Sequence, residues 1–201
     1  MAPHPRHGIL EGDPWPVCQP FDGTGDCVTK TTAPAHRLRL VVGLGALAIV
    51  LLDQATKWWA ETTLVLREYH PLLGDLLGWR LVYNPGAAFG LAADYTWVLT
   101  IFAGVAVVGL VIFALRNTSA AWGIGIASLL GGAISHLGDR LFRDPGFAVG
   151  HIVDFIEYSG IFVGNVADIF LVLGAIYLVA LSIFQNDSEL TGPDEPQEPA
   201  K

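Results

Sequence analysis

Long runs of hydrophobic residues occupy four segments of the chain, at residues 40–59, 95–115, 120–137 and 163–184. Each segment approaches the roughly 20 residues that an α-helix needs to cross a bilayer. The second segment has no charged residue, whereas each of the other three has an acid or an ion pair near one end. The pattern predicts an all-α membrane protein with four transmembrane helices.

The composition agrees with this prediction, because 52% of the 201 residues are hydrophobic, 15% are charged and the mean hydropathy is +0.49. Residues 1–36 and 186–201 differ from the rest, since they are rich in proline and polar residues and show no apolar period. No apolar stretch typical of a secretory signal follows Arg6. We expect a flexible extension at 1–36, a transmembrane domain at 37–185 and a flexible acidic tail at 186–201.

Charge and cysteine content exclude several classes of function. The formal charge of -8 comes partly from the acidic tail, and no basic patch indicates nucleic-acid binding. Cys18 and Cys27 form neither a C-x-x-C pattern nor a Cys/His pattern. We therefore expect no zinc site and no disulfide framework.

The third apolar segment is rich in small residues, among them Gly123, Gly125, Gly131 and Gly132. Small residues let the backbones of membrane helices approach closely. We expect the third helix to pack tightly against its neighbours.

With four crossings, the two termini lie on one side of the membrane and the helix ends alternate between the two faces. Asp53, Lys57, Asp139, Arg140 and Asp168 then all fall near one face. Arg37, Arg39 and Arg116 fall near the opposite face, which the positive-inside rule assigns to the cytoplasm. We expect both termini to be cytoplasmic and the polar groups to lie near the extracytoplasmic face.

The connection between the first two helices is long, and it contains "WRLVYN" followed by "NPG". The alternation predicts a strand and the second motif predicts a turn, so we expect a small extracytoplasmic strand and loop region. This region would place Asn84 beside the acids. Trp79 and Tyr83 suit a membrane interface, and four leucines suit the acyl region: Leu72, Leu73, Leu76 and Leu77.

The polar residues at the helix ends have two interpretations each. Asp53 and Lys57 share a helix face at i, i+4, as an interfacial ion pair or as a substrate site. Asp139-Arg140 is an interfacial anchor, or its guanidinium holds a carboxylate or a lipid head group. His136 shares the face of Asp139, where a lone histidine is typically a hydrogen-bonding residue rather than a base.

Asp154 and Asp168 give the strongest signal, because a charge near hydrocarbon costs about 2.5–3.5 kcal/mol even on lenient insertion scales. Two carboxyl groups that face each other share a proton, so one can activate water while the other protonates a carbonyl. This is the chemistry of an aspartic peptidase, and Asn165, one turn earlier, would hydrogen-bond the pair. The alternative is that each acid caps a helix or pairs with an arginine.

Four motifs resemble those of the lipoprotein signal peptidases, the type II signal peptidases of bacteria. They are "LDQATK" at 52–57, "YNPGAAFG" at 83–90, "GDRLFRDPGFAVGHIVDFI" at 138–156 and "NVAD" at 165–168. The resemblance covers about residues 37–185. It implies a four-helix inner-membrane aspartic endopeptidase that cuts a prolipoprotein before its diacylglyceryl-cysteine and uses no metal or organic cofactor.

The resemblance also implies roles for individual residues. Asp154 and Asp168 match the catalytic aspartates, and six residues match the polar residues that line the site: Asp53, Lys57, Asn84, Asp139, Arg140 and Asn165. The chain departs from the family at Ser135-His136, where the motif has Gly-Asn, and at Gly164, where it has an aromatic residue.

Three functions thus remain open from the sequence. The expected peptidase acts on diacylglyceryl-prolipoproteins as a monomer in contact with membrane lipid. A proton or cation transporter would place its acids near the bilayer midplane, often within repeated halves. A non-enzymatic scaffold protein would leave the isolated acids unexplained.

Overall fold

The four predicted helices are confirmed in the computed structural model, which describes residues 35–86 and 93–190. They are α1 (Ala35–Thr63), α2 (Thr96–Arg116), α3 (Ala120–Phe142) and α4 (Val166–Leu190). By length and composition, each of the four is suited to cross a membrane. The expectations for residues 1–34 and 191–201 fall outside the described residues.

The helix boundaries differ from those predicted. Helix α3 continues to Phe142, so Asp139 and Arg140 lie inside it. Helix α4 begins at Val166 rather than 163, and it extends to Leu190, beyond the expected start of the tail at 186. The later start of α4 arises because a short strand occupies Phe162–Gly164.

Helix α3 packs against the other three helices, and its glycines make this possible. A Cβ atom at Gly131 would lie 2.7 Å from the Ile49 Cβ of α1. A Cβ at Gly125 would lie 2.4 Å from Leu178 of α4. The predicted close approach of helices through small residues is therefore confirmed.

A four-stranded antiparallel sheet joins the helices at one end. Its strands are β1 (His70–Leu73), β2 (Leu77–Asn84), β3 (Ile152–Tyr158) and β4 (Phe162–Gly164), in the order β1-β2-β3-β4. Strand β2 confirms the strand predicted from "WRLVYN". Strand β3 was not predicted, because five consecutive residues within it are buried and alternation is absent.

An apolar cluster fixes the sheet to the end of α1. Phe155 of β3 is 2% exposed, and its ring centroid lies 6.1 Å from that of Trp59 in α1. Trp79 of β2 lies 5.4 Å from Trp59 in an edge-to-face arrangement, which adds to the stability of apolar burial. Leu77 also packs against this cluster. Leu77 is therefore partly covered by protein, unlike the exposed Leu72, Leu73 and Leu76.

Candidate active site

Asp154 and Asp168 line one cavity of about 270 Å³ between the sheet and the helices. Asp154 comes from β3, and Asp168 comes from the first turn of α4. The wall includes polar side chains from β2 and α3, namely Asn84, His136 and Arg140. Apolar side chains from α2, α4 and the sheet also line it: Leu99, Ala103, Leu171, Ile152 and Phe162. The cavity thus combines two acids with a largely apolar wall.

Asn165 connects the two acids although it is fully buried. Its Nδ2 donates to Asp154 Oδ1 at 2.7 Å, and its backbone N–H donates to Asp168 Oδ2 at 2.9 Å. In return, the Asp168 backbone N–H donates to Asn165 Oδ1 at 3.1 Å. The reciprocal bonds form a capping box at the start of α4. Asp168 therefore does cap a helix, while its Oδ1 remains within reach of His136 across the cavity.

Asp154 lies in a site that favours its protonated form. Its pKa is raised to about 7, because burial and the nearby Asp168 carboxylate disfavour the charged form more than the hydrogen bonds from Asn84 and Asn165 favour it. The Asn84 Nδ2 donates to Asp154 Oδ2 at 3.0 Å, as the neighbouring strands β2 and β3 allow. At neutral pH a large fraction of Asp154 therefore carries a proton that it can donate.

Arg140 holds backbone rather than a carboxylate. Its guanidinium donates to the carbonyl oxygens of Pro85 at 2.8 Å, Asn84 at 3.1 Å and Gly150 at 3.0 Å, and also to that of Gly86. These carbonyls belong to the end of β2 and to the segment before β3. Arg140 thus fixes the two chain segments that present Asn84 and Asp154 to the cavity.

Asp53, Lys57 and Asp139 are buried, and none of the three is among the residues that line this cavity. Lys57 Nζ lies 2.6 Å from Asp53 Oδ2 and 2.6 Å from Asp139 Oδ2. The expected i, i+4 pair therefore exists, and both of its side chains are fully buried. The i, i+4 spacing alone could not show whether the pair is buried, because its third partner, Asp139, comes from another helix.

This ion-pair network reaches the start of α4. The Ala167 backbone N–H donates to Asp53 Oδ1 at 2.8 Å, and the Ser135 hydroxyl donates to Asp53 Oδ2 at 2.6 Å. Asp53 thus satisfies an N–H group at the N-terminus of α4 that has no partner within the helix. The network connects α1 and α3 to the turn that carries Asp168.

Three polar residues that extend the buried network were not identified from the sequence. Arg143 donates to Asp139 at 2.7 Å and to both oxygens of Glu61 at 2.8 Å. Gln54 donates to Asp139 at 2.8 Å. Gln54 and Arg143 lie inside the quoted motifs, and Arg143 follows Asp139 by four residues. Their places inside these motifs could have identified both residues as candidates.

Of the positions that depart from the expected motif, His136 and Gly164 lie at the cavity, whereas Ser135 bonds to the buried network. His136 Nε2 is 3.5 Å from Asp168 Oδ1. At Gly164 a Cβ would lie 2.7 Å from the Phe162 ring and 2.8 Å from Asp168 Oδ2. The Phe162 ring, which lines the cavity, therefore lies where a side chain at position 164 would begin.

Comparison with known proteins decides the family. A family model described as signal peptidase (SPase) II matches residues 45–184. The chain belongs to the signal peptidase II family. It is 42% identical over 180 residues to a lipoprotein signal peptidase of Mycolicibacterium smegmatis, covering 90% of this chain and 76% of that protein. It is 43% identical over 173 residues to one of Mycobacterium avium, covering 86% and 94%.

Solved structures agree on the fold. A bacterial membrane enzyme determined by the in meso method at 2.3 Å resolution matches with a TM-score of 0.65 and 23% identity, over 80% of this chain and 94% of that one. A second, determined at 1.9 Å, matches with a TM-score of 0.61 over 70% and 91%. The protein is thus a multi-pass bacterial membrane peptidase whose family removes signal peptides from prolipoproteins.

Proposed function

We propose that this protein is an intramembrane aspartic endopeptidase that cuts diacylglyceryl-prolipoproteins immediately before the lipid-modified cysteine. The observation that carries the proposal is the placement of Asp154 and Asp168 on one cavity wall with Asn165 bonded to both. Two carboxyl groups in this arrangement can divide the roles of acid and base. We expect the reaction to need neither a metal nor an organic cofactor.

In the proposed mechanism, ionised Asp168 takes a proton from a water molecule as the water oxygen attacks the scissile carbonyl carbon. Protonated Asp154 gives its proton to the carbonyl oxygen, and a tetrahedral diol forms. Asp154 then takes a diol proton back while Asp168 gives its proton to the leaving amine, and the C–N bond breaks. The raised pKa of Asp154 supports its role as the initial acid.

We place the cavity near the extracytoplasmic face of the bacterial inner membrane, with both termini in the cytoplasm. Asp168 lies in the first turn of α4. Arg37 lies at the start of α1 and Arg116 at the end of α2, and four crossings place these two helix ends on the other face of the membrane. The positive-inside rule supports this orientation. The apolar wall would receive the signal-peptide helix laterally while the acyl chains of the cysteine stay in lipid.

We expect the protein to act as a monomer, since one chain supplies both acids and the residues that bond to them. The transporter alternative is less compatible with the placement of the acids. Asp154 lies on a strand outside the helices, and Asp168 lies at a helix end rather than near the midplane.

The decisive test is cleavage of a lipidated preprolipoprotein by the purified protein in detergent micelles. We expect a product shortened by the signal peptide, with diacylglyceryl-cysteine at its new N-terminus, identified by mass spectrometry. An identical substrate with serine in place of the cysteine should remain uncut. Absence of product with folded protein and lipidated substrate would refute the proposal.

Exchange of either acid for its amide tests the catalytic pair. Asp154→Asn and Asp168→Asn should each lower single-turnover cleavage by about a thousand-fold or more, because each removes a proton-transfer group. Asp75→Asn, at an exposed position in the turn between β1 and β2, is the matched control and should cleave normally. If either cavity variant kept near-normal turnover while folded, the assignment of the pair would be wrong.

A further inference from the structure

His136 is the one departure from the family motif that introduces a titratable group into the cavity described here. Its Nε2 lies 3.2 Å from Asn165 Oδ1 and 3.5 Å from Asp168 Oδ1. The side chain is 16% exposed, and it lines the cavity with both acids. The family motif has asparagine at this position, so a neutral amide there is replaced by an imidazole.

The two neighbours of Nε2 determine where the ring proton lies. Asn165 Oδ1 accepts a hydrogen bond from the Asp168 backbone N–H, while its Nδ2 donates to Asp154, so the oxygen is the group that faces His136. An ionised Asp168 is also an acceptor. Nε2 must therefore carry a hydrogen in both the neutral and the charged ring. Asparagine could supply the same N–H group but never a positive charge.

We propose that His136 is a positioning residue whose imidazolium form holds Asp168 as the carboxylate and so extends peptide cleavage to more acidic pH. This inference rests on the proposed function, in which Asp168 must be ionised to accept the proton of water. An ordinary imidazole is protonated below about pH 6.5, above the range in which carboxylates usually take up protons. A histidine side chain can therefore carry a positive charge where an asparagine side chain cannot.

The other charged groups around His136 do not replace this contact. Asp154 on β3 already accepts bonds from two amides, and Arg140, one turn further along α3, donates to backbone carbonyls. Helix α2 contributes the apolar Leu99 and Ala103 to the cavity. Behind α3, the charged side chains of the buried network pair with one another: Asp53, Lys57 and Asp139. Asp168 is thus the acid to which the ring nitrogen is directed.

The test is the pH dependence of single-turnover cleavage of a lipidated preprolipoprotein by wild-type protein, His136→Asn and His136→Gln. The acidic limb should move to higher pH by about one unit in both variants, since they lack the charge that favours the Asp168 carboxylate. The maximal rate should fall less than about tenfold, because each amide retains an N–H donor. His151→Asn is the matched control, since His151 lines a separate cavity with Glu61 and Arg143, and its profile should match wild type.

An acidic limb that stays in place, or that moves to lower pH, in both amide variants would overturn the role of His136. Thermal unfolding of each variant verifies that the compared proteins are folded. Failure of the proposed function has a different signature. If Asp168→Asn still cleaved, the catalytic pair would be wrong, whereas an unmoved limb together with an inactive Asp168→Asn would overturn the role of His136 alone.

Discussion

Asp154 and Asp168 are chemically identical side chains in unlike surroundings. Asp154 is 3% exposed and receives two amide hydrogen bonds, whereas the Asp168 side chain is 29% exposed and bonds to the backbone of its own helix turn. Desolvation favours the neutral acid at the first position, whereas the second carboxyl group lies at a helix start and is partly open to the cavity. The division of roles in the proposed reaction follows from this asymmetry.

The raised pKa of Asp154 predicts a pH-dependent cost to stability. An aspartate in an unfolded chain titrates near pH 3.9, and Asp154 in the folded protein titrates near 7. Between these values the unfolded chain has released a proton that the folded protein keeps, so the free energy of unfolding falls as the pH rises. Asp154→Asn should therefore gain stability relative to wild type, by roughly 1–3 kcal/mol at about pH 8 and by much less near pH 4.5.

Thermal unfolding in detergent at the two pH values measures this difference. Asp75→Asn, at the exposed turn, serves as the control, and its difference from wild type should be the same at both pH values. A stability gain of Asp154→Asn that did not grow with pH would contradict the proposed environment of this acid.

Asn165 should matter more than Asn84, although each donates to Asp154. Asn165→Ala removes that donor and also the side-chain acceptor that caps α4 at Asp168. We expect cleavage to fall by about a hundred- to a thousand-fold, with a loss of about 1 kcal/mol in stability. Asn84→Ala should lower cleavage by about ten- to a hundred-fold. Rate measurements beside unfolding midpoints separate the two effects, and equal losses in both variants would refute the bridging role.

At the scale of elements, the start of α4 is the point at which the buried network and the cavity meet. Asp53 on α1 accepts from the backbone of Ala167, one residue before Asp168. Lys57 pairs with both Asp53 and Asp139, so one ion-pair network joins α1 to α3 and, through Asp53, to the start of α4. In the proposed mechanism, the network would act through the position of Asp168 rather than through contact with substrate.

Substitution of Lys57, the central cation, should show whether the network fixes the start of α4. Lys57→Met leaves two buried carboxylates without their shared counterion and should cost about 3–5 kcal/mol of stability. Arg37→Met, an exposed position on the same helix, is the matched control and should leave the unfolding midpoint close to wild type. A normal unfolding midpoint for Lys57→Met would mean that the network is not needed to fix α4.

The elements that could be predicted from the sequence are those with a strong local signal. Long apolar runs gave the four helices, and alternation gave β2. Strand β3 carries Asp154, but burial of five consecutive residues removed the period of two that identifies a strand. The two acids could be identified from the motifs. The burial of Lys57 and the contact of His136 with Asp168 could not be predicted, because they depend on which helix faces pack together.

At the scale of the whole molecule, the hairpin of β1 and β2 presents an apolar surface away from the helix bundle. Leu72, Leu73 and Leu76 are 55%, 63% and 67% exposed, while the neighbouring Leu77 packs on the apolar cluster of the sheet. Exposed leucines grouped at a hairpin tip are costly in water and favourable against lipid. In the proposed orientation, the hairpin would rest on the outer leaflet beside the lipidated substrate.

Charging this surface should weaken substrate capture without preventing folding. Leu73→Asp combined with Leu76→Asp should raise KM for a lipidated substrate about tenfold or more, with kcat changed little, because burial of one leucine side chain is worth about 1.5–3 kcal/mol. Arg67→Asp is the matched control, since it changes the net charge by the same amount at an exposed position of the same loop. If the leucine variant retained a normal KM, or if the control lost capture equally, contact of the hairpin with lipid would not contribute to substrate binding.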